Sequence, residues 1–485
     1  MLAFPRHRHN VRVPSRKLIR MKCTPQRPGC RAGAVSLWYP QNLDADRLLE
    51  SCGRRVGGGV LWLGHCVYTN LADDARCRET GWVHLRAVYL RNIIGRHHLD
   101  AVREAAQRAG YVGRDRSYRA GVRSQAYRIL PPYDLARLVR WRVTDARLRA
   151  NILRWRAARQ RETWQRIQCR ETPVGEAVCV HLWRNLQRVQ LDAEIEFPEP
   201  FHPAHQIAVE QIWQGELRFK VDDYGRVHTN LTNLPKTLRP YLSVDGDRLA
   251  NVDISESQPL FFGIALATAR VGRQAASEST AGGRQGRRET PTDTLMMDGT
   301  MMDATMMDKR GCLAGGFERQ RLPADLRRYL ELCEGRALYQ TVADRLGVTR
   351  DAAKRRVMVT LFDKPWHRNR VSDILDELFP AVMEDMRRIK RPDHRRLAHF
   401  AQRVESAFMF GRVVPRIMEL RPELFISTIH DSILAPAGDA GLVRQVMLDE
   451  FARLGVSPQV KVEPCSIAVP LSPDPASQGI LSKAT

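Results

Sequence analysis

The sequence predicts an α+β fold, in which antiparallel strands joined by tight turns alternate with long helices. Short apolar stretches separated by turn residues occupy 216–254 and recur at 424–434, a pattern typical of antiparallel hairpins. Between them, residues 322–420 repeat apolar side chains at helical spacing. With 485 residues, the chain is long enough for two or three domains or for one large multi-lobed domain.

The charge of the chain indicates a polyanionic partner. Lys and Arg number 77 against 54 Asp and Glu, which gives a formal net charge of +23 at pH 7. An excess of this sign favours nucleic acid. Only ten of the cations are Lys. The dominance of Arg suits bidentate phosphate contacts, although a GC-rich coding sequence produces the same preference.

Cysteine usage and hydropathy predict a cytoplasmic protein with no membrane partner. The ten Cys residues lack the close CxxC pairs of zinc sites, so we expect free or structural thiols. The longest apolar runs are too short to span a bilayer. Residues 1–36 begin rich in Arg and His and predict a disordered basic arm, with an over-extended start ahead of Met21 as the alternative.

Residues 37–200 predict a basic, mainly helical region. Helical spacing occurs over 99–110 and again over 133–168, the latter as one or two helices. Between them, residues 117–128 alternate hydroxyls, amides, aromatics and Arg. This mixture is typical of a nucleic-acid grip and equally of a solvated helical face. A Pro-rich stretch near 197–203 indicates a boundary.

The next region, residues 201–267, changes to strands and turns. A hairpin is predicted over 216–229, and residues 249–254 predict a buried strand that ends near the carboxylate of Asp253. Residues 255–258 have the form of a capping box that opens a helix. Because an unpaired Asp in an apolar strand is costly, we expect a cation beside it.

Residues 268–312 interrupt this pattern. They are rich in Gly, Ser, Thr and Arg and repeat Met-Met-Asp, which predicts a disordered insertion without a catalytic role. Helical spacing resumes at Leu322, within a helical region predicted over 313–395. Residues 396–472 combine a long helix with short strands, and residues 473–485 predict a disordered polar tail.

One predicted helix, at 349–362, carries a mixed stripe of side chains. Residues at steps of four share one broad face of a helix, and this face bears Arg350, Lys354, Met358 and Phe362 in order. Successive members lie about 6 Å apart along the axis, a spacing that suits a triphosphate at one end and a base at the other. For this stretch alone, a solvated basic helix edge is the alternative interpretation.

Two strand-end carboxylates flank that helix in the sequence. Asp253 ends the strand described above, and Asp431 lies at the tip of a hairpin predicted over 424–434. Two carboxylates at the edge of one sheet can hold two Mg²⁺ ions about 4 Å apart, which suits phosphoryl transfer. A cationic helix facing them would complete such a site. For either Asp alone, a turn or cap residue is the simpler interpretation.

These residues carry a resemblance to family A DNA polymerases. Three motifs resemble motifs A, B and C of that family, in order: Asp253-x-Ser255-x-x-Gln258; Arg350-x-x-x-Lys354 with Met358 and Phe362; and His430-Asp431-Ser432. The stretch before motif A is also similar, namely Gly225-Arg226-Val227-His228-Thr229. Single-subunit, phage-type RNA polymerases share the same palm and fingers. Their motif B resembles Lys354-Arg355-x-x-Met358-x-x-x-Phe362 more closely, and their motif C typically reads His-Asp-Ser.

The resemblance covers roughly residues 216–470. It implies a polymerase right-hand fold with an antiparallel palm sheet, helical fingers and a basic, thumb-like N-terminal region. Asp253 and Asp431, helped by the backbone carbonyl of Ile254, would then bind two Mg²⁺ ions, with Mn²⁺ as the alternative metal. Arg350 and Lys354 would bind the incoming triphosphate, and Lys354 could protonate the leaving pyrophosphate.

The resemblance also implies roles at the base and sugar end of the nucleotide. Phe362, with Met358, would lie near the nascent pair, and His430 would lie beside the primer terminus. Gln258 stands where the family usually carries a sugar-selecting Glu, which leaves the choice of sugar open. Phe362 stands where the family usually has Tyr, and Asp363 replaces the usual following Gly.

The implied function is template-directed nucleotidyl transfer. A DNA-directed DNA polymerase acting on a DNA template-primer and dNTPs is favoured, because the stretch at 225–229 resembles DNA polymerases and Phe362 lacks a ribose-selecting hydroxyl. NTPs are the alternative substrates. A single-subunit RNA polymerase or primase is the first alternative, and a catalytically inert nucleic-acid-binding protein is the second. No proofreading exonuclease is predicted, because Asp192-x-Glu194 is a lone DxE without companion carboxylates.

Overall fold

The computed structural model describes residues 19–22, 35–115, 124–168, 174–197, 201–281 and 316–465. Most of the predicted arm, most of the 117–128 stretch, the insertion from 282 onward and the tail lie outside these ranges. The chain forms two compact units, each with its own hydrophobic core. Both combine helices with antiparallel strand pairs, so the predicted α+β class is confirmed.

The first unit contains the described residues up to Ala157 together with 191–214 and 233–238. Its helices are α1 (Ala45–Asp73), α2 (Ala75–Thr80), α3 (Ala87–Ile94), α4 (Leu99–Arg108), the first part of α5 (Ala146–Gln168) and α7 (Pro203–Trp213). Its antiparallel strand groups are β1 (Ile19–Lys22) with β8 (Glu194–Phe197), β2 (Ser36–Pro40) with β6 (Leu138–Arg142), and β5 (Ala126–Ile129) between β3 (Val83–His84) and β4 (Val112–Arg114).

Helix α1 supplies much of the core of this unit. Its second half is buried almost continuously up to Tyr68. A Cβ atom on Gly59 would lie 2.5 Å from a methyl group of Val102, so glycine is what admits α4 this closely.

The predicted helix over 133–168 is wrong in its first part, where β6 is a strand, whereas α4 and α5 confirm the other helical segments. Tertiary pairing decides this difference. Strand β6 pairs with β2, about a hundred residues earlier, and the Arg140 guanidinium lies 4.2 Å from the Trp38 ring centroid. The buried Gln206 amide completes the strand by bonding both the N–H and the carbonyl of Leu138.

The second unit contains residues 158–190, 215–232 and the described residues from Arg239 onward. Its strands are β7 (Val189–Leu191), β9 (Phe219–Val221), β10 (Val227–Thr229), β11 (Leu242–Val244), β12 (Asp247–Ile254), β13 (Ser427–Ile429), β14 (Ser432–Pro436) and β15 (Val460–Pro464). Six of them form one sheet in the order β13-β14-β12-β11-β7, with β15 also paired to β12. Strands β9 and β10 form the separate antiparallel hairpin that the sequence predicts.

Strand β12 is the centre of the six-stranded sheet. It pairs antiparallel with β14 over 249–253 and with β15 over 250–254, and its residues from Leu249 to Ile254 are buried except for the half-buried Asp253. The turn that enters it has positive φ at Asp245 (52°) and Gly246 (92°), and two such residues are typical of a type I′ hairpin.

The helices of the second unit are α6 (Glu176–Arg188), α8 (Asn230–Asn233), α9 (Ser257–Ala281), α10 (Ala324–Glu334), α11 (Leu338–Leu346), α12 (Arg350–Phe362), α13 (Arg370–Leu378), α14 (Pro380–Lys390), α15 (Arg396–Phe408), α16 (Val414–Leu420) and α17 (Ala440–Leu454). A π turn, Met409–Val413, joins α15 to α16. Short 3-10 helices lie at Lys236–Tyr241 and Arg319–Arg321.

Helix α9 continues through Ala281, so residues 268–281 are helical rather than disordered as their composition predicts. Helix propagation needs little beyond a formed first turn and the absence of breakers. Residues 268–281 contain no Pro, and Gly272 is their one Gly. The helix that begins with the apolar residues of α9 therefore continues into the low-complexity stretch.

Helix α9, which begins three residues after the end of β12, packs within the core of the second unit. Phe261 of α9 lies 5.9 Å, between ring centroids, from Phe408, which stacks at 4.0 Å on Phe451 of α17. On another side, a Cβ on Gly263 would lie 2.6 Å from a methyl group of Leu330, so α10 also packs closely on α9. Among the described helices, none combines the length and the apolar character needed to cross a bilayer.

Candidate functional site

The pairing register brings the two strand-end carboxylates together. Asp253 lies directly opposite Ser432 in the β12–β14 pair, and Asp431 immediately precedes that serine. Neighbouring strands lie about 4.8 Å apart. Both Asp residues are half-buried and belong to the same end of the same strand pair.

The tip of the β13–β14 hairpin is a constrained two-residue turn. His430 and Asp431 separate Ile429 from Ser432, which are cross-strand partners. His430 has φ of 57°, a conformation that non-glycine residues seldom adopt. Such conformations persist where the surrounding structure enforces them, and they are common at functional sites. The strained turn therefore fixes the direction of Asp431.

The cation expected beside Asp253 lies on the other neighbouring strand. Lys461 of β15 is its direct cross-strand partner. Arg239 also interacts with Asp253: burial lowers the pKa of the Arg239 guanidinium below its usual value, and the attraction of Asp253 opposes that effect. Asp253 therefore faces positive charge, as the cost of an isolated carboxylate requires.

The oxygen atoms at this end of the sheet suit a Mg²⁺ ion that takes only part of its ligands from the protein. The carboxylates of Asp253 and Asp431 and the carbonyl of Ile254 are hard oxygen ligands of the kind Mg²⁺ prefers. In the described ranges, no group of three or more His, Cys, Asp and Glu side chains is placed to hold a metal. Mg²⁺ usually binds one or two carboxylates and completes its shell with water and substrate phosphate. Two carboxylates therefore suit a metal ion that completes its coordination shell with water or with ligand oxygens.

The first cation of α12 is held by a buried carboxylate. Arg350 Nη2 lies 2.5 Å from Glu256 Oε1, and its guanidinium lies 5.4 Å from the Tyr339 ring centroid. The Glu256 side chain is only 2% exposed. Burial raises the pKa of Glu256, and the Arg350 charge opposes this shift. The second carboxylate oxygen, Oε2, is buried without a hydrogen-bond partner.

Glu256 is a site residue that the sequence reasoning missed. It has φ of 51° and lies immediately before α9, so it does not adopt the extended conformation of an ordinary N-cap. The predicted capping box is wrong, because the Ser255 hydroxyl is buried without a partner. The only sequence signal was an acid in the junction before Gln258, which lies half-buried in the first turn of α9.

The other three members of the α12 stripe have different surroundings. Lys354 is exposed. Met358 Sδ accepts a hydrogen bond from the Tyr339 hydroxyl at 3.4 Å. The Phe362 ring lies 5.8 Å, between centroids, from Phe262 of α9. The stripe is therefore cationic and open near its start and packed against the core near its end.

A buried ion pair lies close to the hairpin tip. Arg226 donates from Nε and Nη2 to the two carboxylate oxygens of Glu405, at 3.0 and 2.7 Å. Burial raises the pKa of Glu405 to about 7; the Arg226 charge opposes the shift, and the negative charge of Asp431 adds to it. Arg226 belongs to the stretch singled out in the sequence. Glu405 was missed because one polar residue in a long helix carries no signal of its own.

His430 completes the surroundings of the tip. Its ring lies 5.9 Å, between centroids, from His228, whose Nε2 is 2.9 Å from Asp222 Oδ2. Burial, reinforced by the charge of Arg226, lowers the pKa of His430 to about 4. The imidazole is therefore neutral near pH 7, with a buried Nδ1 that has no hydrogen-bond partner.

Comparisons with known proteins give a structural similarity over part of the chain, without a match to a family model or a curated sequence. No protein-family model matches the chain, and no curated protein sequence matches it. Part of the chain is similar to a solved structure described as the POL domain of Pol1 from M. smegmatis in complex with DNA primer-template and dNTP, with a TM-score of 0.27 and 12% sequence identity. The match covers 54% of this chain and 51% of that one, so the chain spans about half the length of the solved protein.

Proposed function

We propose that the second unit carries the active site of a template-directed nucleotidyltransferase. The proposal rests above all on the β12–β14 register, in which Asp431 is adjacent to the residue opposite Asp253. Two carboxylates at one sheet end, with the cationic start of α12 tied to the same strand end through Glu256, are the parts that phosphoryl transfer to a hydroxyl requires.

The two carboxylates provide the metal site in this proposal. Asp253 and Asp431, with the Ile254 carbonyl, would hold Mg²⁺, which when bound would supply activation of the attacking hydroxyl and neutralisation of charge on the leaving phosphate. Lys461, opposite Asp253, balances the negative charge of that site when no metal is bound.

Helix α12 grips the triphosphate. Lys354, exposed on its surface, attracts the phosphates and donates a proton to the leaving pyrophosphate. A guanidinium has five N–H donors, and the bond from Arg350 to Glu256 uses one of them. Glu256 is thus a positioning residue, which holds the remaining donors of Arg350 in a fixed direction.

The base, the sugar and the primer contact the rest of the site. Phe362 and Met358 form the apolar end of the stripe beside the nascent pair, and the neutral His430 lies at the primer terminus. Gln258 contributes to the choice of sugar. The antiparallel sheet then acts as the palm of a right-hand polymerase and α12 as part of its fingers.

The favoured activity is DNA synthesis by a DNA-directed DNA polymerase without a proofreading exonuclease. Its partners are a DNA template-primer and dNTPs. An RNA polymerase or primase would use the same carboxylates with NTPs, and a catalytically inert nucleic-acid-binding protein would retain the basic surface alone.

Primer extension tests the proposal. The full chain is supplied with a labelled template-primer, Mg²⁺ and either dNTPs or NTPs. We expect extension with dNTPs, and we expect Asp431→Asn to reduce its rate by at least about a hundredfold, because it removes one of two metal-binding charges. Asp449→Asn is the matched control, since Asp449 is exposed on α17 and forms no part of the site.

The outcomes separate the alternatives. Extension with NTPs only, or synthesis without a primer, would assign the protein as an RNA polymerase or primase. Equal rates for the wild-type chain and Asp431→Asn would contradict the enzymatic proposal. Extension that survives in Asp449→Asn and disappears in Asp431→Asn supports it.

A further inference from the structure

The turn that follows α12 presents an exposed indole. Trp366, in the turn of residues 363–369 between α12 and α13, is 65% exposed. Val359, in the last turn of α12, is 62% exposed. Single exposed apolar side chains are ordinary on protein surfaces. A large aromatic side chain on this turn differs because its surroundings are both ordered and cationic.

The turn is held by many hydrogen bonds. Buried Lys390 donates from Nζ to the carbonyls of Thr360 and Asp363, at 3.2 and 2.8 Å. The Asp363 carboxylate accepts from the Lys364 N–H at 2.7 Å and lies 2.9 Å from His367 Nδ1.

The far end of the turn is fixed as well. Arg368 pairs with Asp373 and Asp376, each at 2.7 Å, and Asn369 forms a capping box with Ser372. An aromatic side chain on such a turn loses little conformational freedom when a ligand binds, which favours affinity.

The surroundings of the indole are cationic. Lys364 Nζ lies 5.7 Å from the Trp366 ring centroid, and exposed cations continue on both flanking helices, at Arg355, Arg356 and Arg370. Between residues 350 and 370 the chain has seven Lys or Arg against two Asp. Two of these cations, Arg350 and Arg368, pair with carboxylates outside that range, and five cations remain. This charge disfavours a basic partner and favours an anionic one that also offers flat apolar faces.

We propose that the Trp366 turn binds single-stranded nucleic acid, with one base stacked on the indole and the adjoining phosphates contacted by Lys364 and the neighbouring Arg residues. Every base has a π face that an aromatic side chain can stack on, whatever the sequence, and basic side chains beside it follow the backbone. The identification of this strand as the unpaired part of a template rests on the proposed function. The binding of single-stranded nucleic acid at the Trp366 turn does not depend on that function.

Fluorescence anisotropy of a labelled single-stranded oligonucleotide tests the proposal. The full chain is titrated in EDTA without nucleotide, so that neither metal nor catalysis contributes. We expect Trp366→Ala to weaken binding about fivefold to tenfold, and Trp366→Phe to restore most of it because a smaller ring still stacks. Lys364→Gln is expected to reduce the slope of log affinity against log salt concentration by the amount that corresponds to about one phosphate contact.

A matched control and a second ligand test whether the effect is specific to the indole and to nucleic acid. Leu420→Ala removes another exposed apolar side chain of the second unit, 44% exposed, and is expected to leave oligonucleotide affinity unchanged. Vesicles of anionic phospholipid are the competing ligand. Unchanged oligonucleotide affinity in Trp366→Ala, or a Trp366-dependent affinity for the vesicles alone, would overturn the proposal.

The two proposals fail in distinguishable ways. A chain that extends no primer yet loses oligonucleotide affinity in Trp366→Ala would contradict the enzymatic function and support this surface. Primer extension together with unchanged affinity in Trp366→Ala would contradict this surface alone.

Discussion

Glu256 and Arg350 link the end of the central strand to the nucleotide-binding helix of the proposed site. The carboxylate is almost fully buried and the guanidinium is 30% exposed, so solvent screens the pair only in part. The left-handed backbone of Glu256 adds a local conformational cost that the contact with Arg350 offsets. This pair therefore offsets the backbone strain at Glu256, contributes to the stability of the fold and sets the direction of the Arg350 guanidinium.

The first prediction concerns this pair. Glu256→Gln replaces a charged partner of Arg350 by a neutral one of the same shape, and we expect the free energy of unfolding to fall by about 1–2 kcal/mol. We also expect the KM for the nucleotide to rise about tenfold, with a smaller change in kcat, because Arg350 becomes less well positioned. Urea unfolding and steady-state primer extension measure the two effects.

An exposed pair supplies the control. Arg345 and Glu377 form an ion pair at 2.9 Å, with side chains 48% and 66% exposed, and such pairs contribute little. Glu377→Gln should therefore change stability by less than about 0.5 kcal/mol. Equal effects of the two substitutions would show that the Glu256–Arg350 contact has no special weight.

At the scale of the element, α12 is fixed at both ends by groups outside it. Its first turn is held through Arg350, and its last carbonyls accept hydrogen bonds from Lys390 of α14. A cation at a helix C-terminus interacts favourably with the helix dipole and satisfies carbonyls that have no intrahelical donor. The two anchors hold in place the helix that carries the stripe and the turn that presents Trp366.

The second prediction concerns Lys390 and pH. Burial lowers its pKa from 10.5 to about 8, with the positive charge of Arg387 adding to the shift and Asp363 opposing it. Between these two pH values the unfolded chain binds more protons at Lys390 than the folded chain does. The contribution of Lys390 to the free energy of unfolding therefore increases as pH rises from about 8 to about 10.5. Below pH 8 the buried charge destabilises the fold by its full amount.

Lys390→Met should remove that increase. Urea unfolding of the wild-type chain and of the variant at pH 7.5 and pH 10 gives the difference, in which the titration of other groups cancels. We expect the free energy of unfolding of the wild-type chain to increase relative to that of the variant as pH rises. A difference that is constant with pH would contradict the shifted pKa of Lys390.

At the scale of the whole molecule, the dominant property is the net charge of +23. A protein of this charge neutralises phosphates and releases counterions when it binds nucleic acid, so its affinity falls steeply with salt. Our third prediction is that affinity for DNA decreases by at least about a hundredfold between 50 and 200 mM salt. Anisotropy titrations over this range measure the slope, and a slope near zero would contradict phosphate binding as the source of affinity.

Local sequence predicted most elements of the second unit. The hairpin at β9 and β10, the buried strand β12, the helices from α10 to α16 and the hairpin with Asp431 at its tip are all confirmed. The spacing of apolar residues and the positions of turn residues are enough to predict such elements. Each element buries one face, and the chain turns at residues with special backbone preferences. The predicted roles of the site residues remain predictions.

Sequence reasoning failed where a distant partner decided the outcome. Strand β6 has helical spacing but pairs with β2 near the start of the described chain. Glu256 lies within the predicted capping box of 255–258 but pairs with Arg350, 94 residues later. Glu405 looks like an ordinary helical surface residue but is buried against Arg226, 179 residues earlier. Pattern analysis over short windows cannot detect partners at these separations.

The sequence by itself determined the α+β class, the charge and the two strand-end carboxylates, because these follow from composition, period and turn chemistry. Only the tertiary structure decided that Asp253 and Asp431 share one end of a strand pair, that Arg350 is held by Glu256 and that Trp366 is presented by a fixed turn. The physical reason is that register, burial and ion pairing are properties of segments in contact, and the free energy of each contact depends on both partners.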